Sequence, residues 1–222
     1  MKKIKIYGDS ILKGVMYNDE LKRYKLFGYR YEKLLENGIE VENNCKMGAT
    51  IDEGFEIMKA TLEDCDKDTV VILEYGGNDC NFNWAEVANN PEGEFLPNTP
   101  EDRFTETYLK LVEYAREKGA EVAICTLVPI DSERFMNWVT RGLDYNNVLR
   151  WLGDINIISR WQEKYSRLSE KVADLANCKL IDLRSVFSNN MGSLLGIDGM
   201  HPSAEGHTIL GDIFQKKVLA AI

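Results

Sequence analysis

The chain has 222 residues, 44% of them hydrophobic, and carries 27 Lys and Arg against 36 Asp and Glu for a net charge of −9. With no basic run longer than Lys2-Lys3 or Lys216-Lys217, nucleic acid and anionic membranes are excluded as natural partners. Five cysteines at positions 45, 65, 80, 125 and 178, without C-x-x-C spacing, provide neither a disulfide framework nor a zinc site. No apolar run approaches a membrane span and no signal peptide is recognisable, so the expected location is the cytoplasm.

Strand-like and helix-like segments alternate along the chain. Residues 2 to 7 alternate as a strand, and Ile39-Glu40-Val41-Glu42 reads as a second, weaker one. Val70-Val71-Ile72-Leu73 is a continuous apolar run, as expected of a central parallel strand covered on both faces. Residues 121 to 128 repeat that character, and residues 179 to 183 make a fifth strand. Between the last three strands lie two long helices. One is capped at Thr99, with Pro100 in the first turn and an apolar face of Phe104, Tyr108, Leu111, Val112 and Ala115. The other carries the stripe Ile157, Trp161, Tyr165, Leu168, Val172 and Leu175. Ser203 is placed to cap a final helix whose face is Ile209, Leu210, Ile213, Phe214 and Val218. Five strands alternating with helices predict an α/β three-layer sandwich of flavodoxin-like type, with a five-stranded parallel sheet. Two connections, at about 79–99 and 129–156, are too long for tight turns, and long ordered loops are commonly functional. All four tryptophans, Trp84, Trp138, Trp151 and Trp161, fall in these loops or at the start of the helix that follows.

Three segments carry candidate chemistry. Gly8-Asp9-Ser10 places a hydroxyl at a strand-to-helix turn, where a serine serves either as a helix cap or as a nucleophile beside its own backbone N–H. Glu74-Tyr75-Gly76-Gly77-Asn78-Asp79 follows the third strand; it is either a plain turn or a place where backbone approaches a ligand and Asn78 donates an uncharged N–H. Asp198-Gly199-Met200-His201-Pro202 precedes the last helix, and Pro202 keeps His201 out of helical dihedrals. Asp198 stands where it could orient one ring nitrogen of His201 and leave the other free to take a proton. The other histidine, His207, sits in the final helix and reads as structural.

Taken together and in this order, the motifs resemble those of the GDSL-type, or SGNH, hydrolases. Gly8-Asp9-Ser10-Ile11 is similar to the G-D-S-L block with Ile for Leu, Gly76-Gly77-Asn78-Asp79 to G-x-N-D, and Asp198-Gly199-Met200-His201-Pro202 to D-x-x-H-P. Gly48, in Lys46-Met47-Gly48-Ala49-Thr50, takes the place of the second-block glycine. The resemblance implies one SGNH-hydrolase-like domain over 1–222 with the two insertions, and a serine esterase. Ser10 is then the nucleophile, His201 the general base and acid, and Asp198 its orienter; Ser10 N–H, Gly48 N–H and the Asn78 side chain form the oxyanion hole. No metal or cofactor is implied. The expected partner is a small-molecule or carbohydrate ester with a small acyl group, with monomer and homodimer both left open. The tryptophan-bearing loops stand open as a sugar platform, a lid or an interface. A metal-dependent phosphoesterase drawing on Asp9, Asp79 and Asp198, and a non-catalytic flavodoxin-like binding module, are the two rival readings.

Overall fold

A computed structural model describes residues 2–188 and 190–221. In chain order the elements are β1 (Lys3–Gly8), α1 (Ser10–Lys13), β2 (Val15–Asn18), β3 (Arg23–Leu26), α2 (Glu32–Glu36), β4 (Glu40–Asn43) and α3 (Ile51–Thr61). These are followed by β5 (Thr69–Glu74), α4 (Trp84–Asn89), α5 (Glu101–Glu117), β6 (Glu121–Cys125), α6 (Ser132–Val139) and α7 (Tyr145–Leu152). The chain closes with α8 (Ile157–Leu175), β7 (Lys179–Ile181), α9 (Arg184–Phe187), α10 (Met191–Leu194) and α11 (Ala204–Ala221).

Five strands form one sheet in the order β4-β1-β5-β6-β7, all parallel, with Ile4 opposite both Val41 and Val70. Numbered among themselves, these strands run 2-1-3-4-5, the flavodoxin-like order. The period of two along each strand divides the core. Ile4, Ile6, Val70, Ile72, Ala123 and Cys125 face Leu210, Phe214 and Val218 of α11. Val71, Leu73, Val122 and Ile124 face α3, α5 and α8. The helices on the two faces complete the three layers.

Several boundaries differ from the sequence expectation. β6 stops at Cys125 and β7 at Ile181. Beyond them the Thr126 hydroxyl accepts hydrogen bonds from Leu183 N–H at 2.8 Å and Arg184 N–H at 3.0 Å, which turns the chain out of the sheet into α9. The buried face of α8 is rotated from the predicted stripe. Ile158, Gln162, Tyr165, Ser166, Ser169, Val172 and Ala173 are buried, whereas Ile157 and Leu175 are exposed. Pro100, not Thr99, occupies the cap position of α5. The antiparallel ribbon β2–β3, with Tyr17 opposite Tyr24, was not anticipated.

The two long connections are ordered and pack on each other. Trp84, Val87 and Ala88 of the first join Phe135, Met136 and Val148 of the second, with Ile158 of α8, in a small core of their own. Asn147 Nδ2 ties them further by donating to the Ala88 carbonyl at 2.8 Å.

His207 is structural, as expected. Its Nε2–H donates to the Val15 carbonyl at 2.9 Å and its Nδ1 accepts from the Tyr29 hydroxyl at 2.6 Å, fastening the start of the ribbon to α11. Burial lowers its pKa to about 4, so the ring is neutral.

Candidate active site

β1 ends at Gly8, where an added Cβ would lie 2.8 Å from the Glu74 carbonyl oxygen. This close approach to β5, rather than a left-handed turn, is what demands glycine. Asp9 then caps α1, its Oδ1 accepting from Ile11 N–H at 2.9 Å. Because Asp9 is the cap, the Ser10 side chain is released from that duty. At the first helical position, the Ser10 N–H has no intrahelical acceptor.

The Ser10 hydroxyl faces His201, with Oγ 2.9 Å from Nε2. On the far side of the ring, Nδ1 lies 2.7 Å from Asp198 Oδ2. An ionised carboxylate only accepts, so Nδ1 carries the ring proton and Nε2 is left to accept from the serine. The second oxygen, Asp198 Oδ1, accepts from the N–H groups of Met200 at 3.1 Å and His201 at 3.0 Å. Burial pushes the Asp198 carboxyl up, but its hydrogen bond from His201, the electrostatic pull of that ring and the two backbone N–H groups outweigh it and hold it below the usual range. Ser10, Asp198 and His201 are 7%, 0% and 4% exposed, so the relay is shielded from water.

The loop carrying His201 is braced from the second insertion. Asp131 N–H donates to the Gly199 carbonyl at 2.8 Å. Arg134 of α6 donates to the Leu195 carbonyl at 3.0 Å and the Gly192 carbonyl at 2.9 Å. From the ribbon, Tyr24 packs edge-on against the His201 ring with centroids 5.1 Å apart, and Trp138 of α6 packs against Tyr17 and Tyr24.

Asn78 also reaches the site. Its Nδ2 donates to Asp9 Oδ2 and to the Ala49 carbonyl, both at 3.1 Å. Asp79 Oδ1 accepts from Ile51 N–H at the start of α3 at 2.9 Å, which pins the third-block loop to the second-block loop. Burial pushes the Asp79 carboxyl up to about 7 against the pull of that hydrogen bond. Glu74 beside Asp9 is buried, which drives its carboxyl well above the ordinary range, and the neighbouring Asp9 charge adds to the rise. Gly48 is exposed with φ of 78°. It is adjacent to the Ala49 carbonyl that Asn78 holds, but it is not among the residues lining the cavity at Ser10.

That cavity, about 60 Å³, is lined by Ser10, His201, Asn78, Asp9 and Met200 among others. Beside it is a larger one of about 280 Å³ with aromatic walls, and Gly77, Asn81, Ile130, Phe135 and Gln162 line both.

The model of the GDSL-like Lipase/Acylhydrolase family matches residues 6–209, which takes in Ser10, Asn78, Asp198 and His201. The chain belongs to that family. It is a carboxylic ester hydrolase, and its fold is shared by solved members. A lipase/acylhydrolase from Enterococcus faecalis is 18% identical, with 99% of this chain and 96% of that chain covered at a TM-score of 0.64. The acetylxylan esterase Axe2 from Geobacillus stearothermophilus is 20% identical, with coverages of 98% and 94% and a TM-score of 0.64. The acetyl xylan esterase AlAXEase is 23% identical, with 99% of each chain covered and a TM-score of 0.60. No curated protein sequence matches the chain significantly.

Sequence reasoning missed Tyr24, Arg134 and the role of Glu74. Arg134 follows an Asp-Ser pair that signals only a helix start, and its carbonyl partners are about 60 residues away in the chain. Of the tryptophans, Trp84, Trp151 and Trp161 line the larger cavity, whereas Trp138 seats the ribbon. Among the described residues no group of three or more His, Cys, Asp or Glu is arranged to hold a metal ion, and no helix is long and apolar enough to cross a membrane.

Proposed function

We propose that the chain hydrolyses carboxylic esters in two steps through an acyl-enzyme on Ser10. Ser10 Oγ attacks the ester carbonyl carbon as His201 Nε2 takes its proton. Asp198 holds the ring in the required tautomer and stabilises the imidazolium that forms. The tetrahedral oxyanion is met by the Ser10 N–H and the Asn78 amide, with the Gly48 N–H, outside the cavity lining, the third donor that the family pattern implies. His201 returns the proton to the alkoxide, which leaves as the alcohol. Water then repeats the sequence and releases the carboxylic acid.

The 2.9 Å approach of Ser10 Oγ to His201 Nε2, continued at 2.7 Å to Asp198, carries this reading. Acetyl and other short acyl groups fit the cavity of about 60 Å³ at Ser10. A carbohydrate alcohol lies within the same reading, since two of the similar structures are named as acetylxylan esterases.

The test is active-site labelling. A fluorophosphonate probe followed by peptide mapping should mark Ser10, and Ser10→Ala should reduce turnover of p-nitrophenyl butyrate by at least about 10⁴-fold. Retention of wild-type turnover by a folded Ser10→Ala protein would remove Ser10 as the nucleophile.

A further inference from the structure

The cavity of about 280 Å³ beside the catalytic serine has walls of Phe82, Trp84, Phe95, Phe135, Trp151 and Trp161. Their rings meet edge to face, with Phe82 and Trp151 centroids 5.0 Å apart and Phe95 and Trp151 centroids 5.7 Å apart. The indole donors on these walls are already engaged, which leaves the Asn81 amide as the open side-chain donor. Trp84 Nε1 donates to Asn81 Oδ1 at 2.7 Å, Trp151 Nε1 to the Gly93 carbonyl at 3.1 Å, and Trp161 Nε1 to the Cys80 carbonyl at 3.0 Å. Gln162 donates to the Val128 carbonyl and accepts from Arg184, both at 2.8 Å. A sugar ring placed here would exchange its water contacts for aromatic walls whose indole donors are occupied, with the Asn81 amide able to pair only one or two of its hydroxyls. An apolar group meets no such penalty.

Position decides which half of the ester enters. The leaving alcohol must lie at His201 Nε2, which protonates it. Neither Ser10 nor His201 lines the aromatic cavity, and among the residues it shares with the Ser10 cavity Gly77 is the neighbour of Asn78 in the chain, which puts that shared wall on the oxyanion side of Ser10. We propose that it extends the acyl site beyond the short groups that the Ser10 cavity holds by itself, taking the far end of an apolar acyl group, alkyl or aryl, and so favouring such a group over acetyl. Its volume is about twice that of a 150 Å³ cavity that accepts benzene, which gives room for a phenylpropanoyl or a hexanoyl to octanoyl group. This deepens the esterase reading and rests on it for the direction of the acyl chain.

The test varies the acyl group while the alcohol stays constant. With p-nitrophenyl acetate, butyrate, hexanoate, octanoate and 3-phenylpropanoate, kcat/KM should rise at least tenfold from acetate to hexanoate, at roughly fourfold or less per buried methylene. The phenylpropanoate and octanoate arms distinguish ring from chain. A series that is fastest on acetate and falls steadily would overturn the proposal, as would a rise produced only by enlarging the alcohol of an acetate ester. Leu152→Trp, which fills the cavity away from Ser10, should lower the octanoate-to-acetate ratio of kcat/KM at least tenfold. If that variant does not fold, Ile157→Trp at the half-exposed rim serves instead; an unchanged ratio in a folded variant counts against the subsite. Finally, octanoate added to folded Ser10→Ala protein should quench tryptophan fluorescence saturably. An absent quench would remove the subsite whatever the nucleophile, whereas a quench in a protein that remained active would remove Ser10 as nucleophile and keep the subsite.

Discussion

Asn78 commits both protons of its side-chain amide before any ester arrives, one to Asp9 Oδ2 and one to the Ala49 carbonyl, each at 3.1 Å. These two bonds fix the amide in orientation, and an oxyanion formed at Ser10 competes for a donor that is already aimed. Replacing Asn78 with Ala should therefore lower kcat about 10²–10³-fold with little change in KM, because the amide is needed most when negative charge has developed. Steady-state kinetics on a short p-nitrophenyl ester would check this; an equal loss spread into KM would place Asn78 in ground-state binding instead.

Arg134 holds two carbonyls of the segment that leads into Asp198 and His201. Arg134→Met should cut kcat about tenfold through misplacement of the His201 ring, with KM within about threefold of wild type. Arg134→Lys should recover only part of the loss, because one ammonium cannot span both acceptors as the guanidinium fork does. Full activity of the Met variant would show that the loop holds itself.

Asp79 gives a stability signature with a definite sign. Its folded-state pKa of about 7 is above the ordinary carboxylate value, so the folded protein binds the proton more tightly than the unfolded chain. Stability from this group is present below about pH 4 and is lost as pH rises through 7. Asp79→Asn retains an acceptor for Ile51 N–H and lacks the titration. Its Tm relative to wild type should climb between pH 5 and pH 8, and parallel Tm profiles would contradict the buried, protonated carboxyl.

His207 acts in the opposite direction. Its folded pKa of about 4 is below the ordinary imidazole value, so its contribution is complete above about pH 6.5 and disappears as pH falls through 4. The shift corresponds to roughly 3 to 4 kcal/mol at most, since one pKa unit is about 1.4 kcal/mol. Urea unfolding of His207→Gln at pH 7 and pH 5 should show a smaller difference between the two pH values than wild type does.

The meeting of the motifs was legible because this architecture places the carboxyl ends of β1 and β5 together at a crevice, so Gly8-Asp9-Ser10 and Gly77-Asn78-Asp79 meet although Asp9 and Asn78 are 69 positions apart. Asp198 and His201 could be paired because three residues on one turn suffice to bring them into contact. The ribbon β2–β3 was not legible. Its strands are four residues each and Arg23, Lys25 and Leu26 are exposed, so no apolar alternation marks them. Tyr24 gained its place beside His201 only through tertiary packing. The tryptophans were visible as a group, but which of them line the aromatic cavity was decided by the packing of the two insertions on each other.

The small core shared by the two insertions means that neither can be altered alone. Trp84 of one and Phe135 of the other are walls of a single room. The sheet, the Ser10 turn and α11 form a chassis separate from it. A transplant of substrate preference between relatives would therefore have to move both segments as a matched pair, and a graft of either by itself would leave the other without its half of the interior.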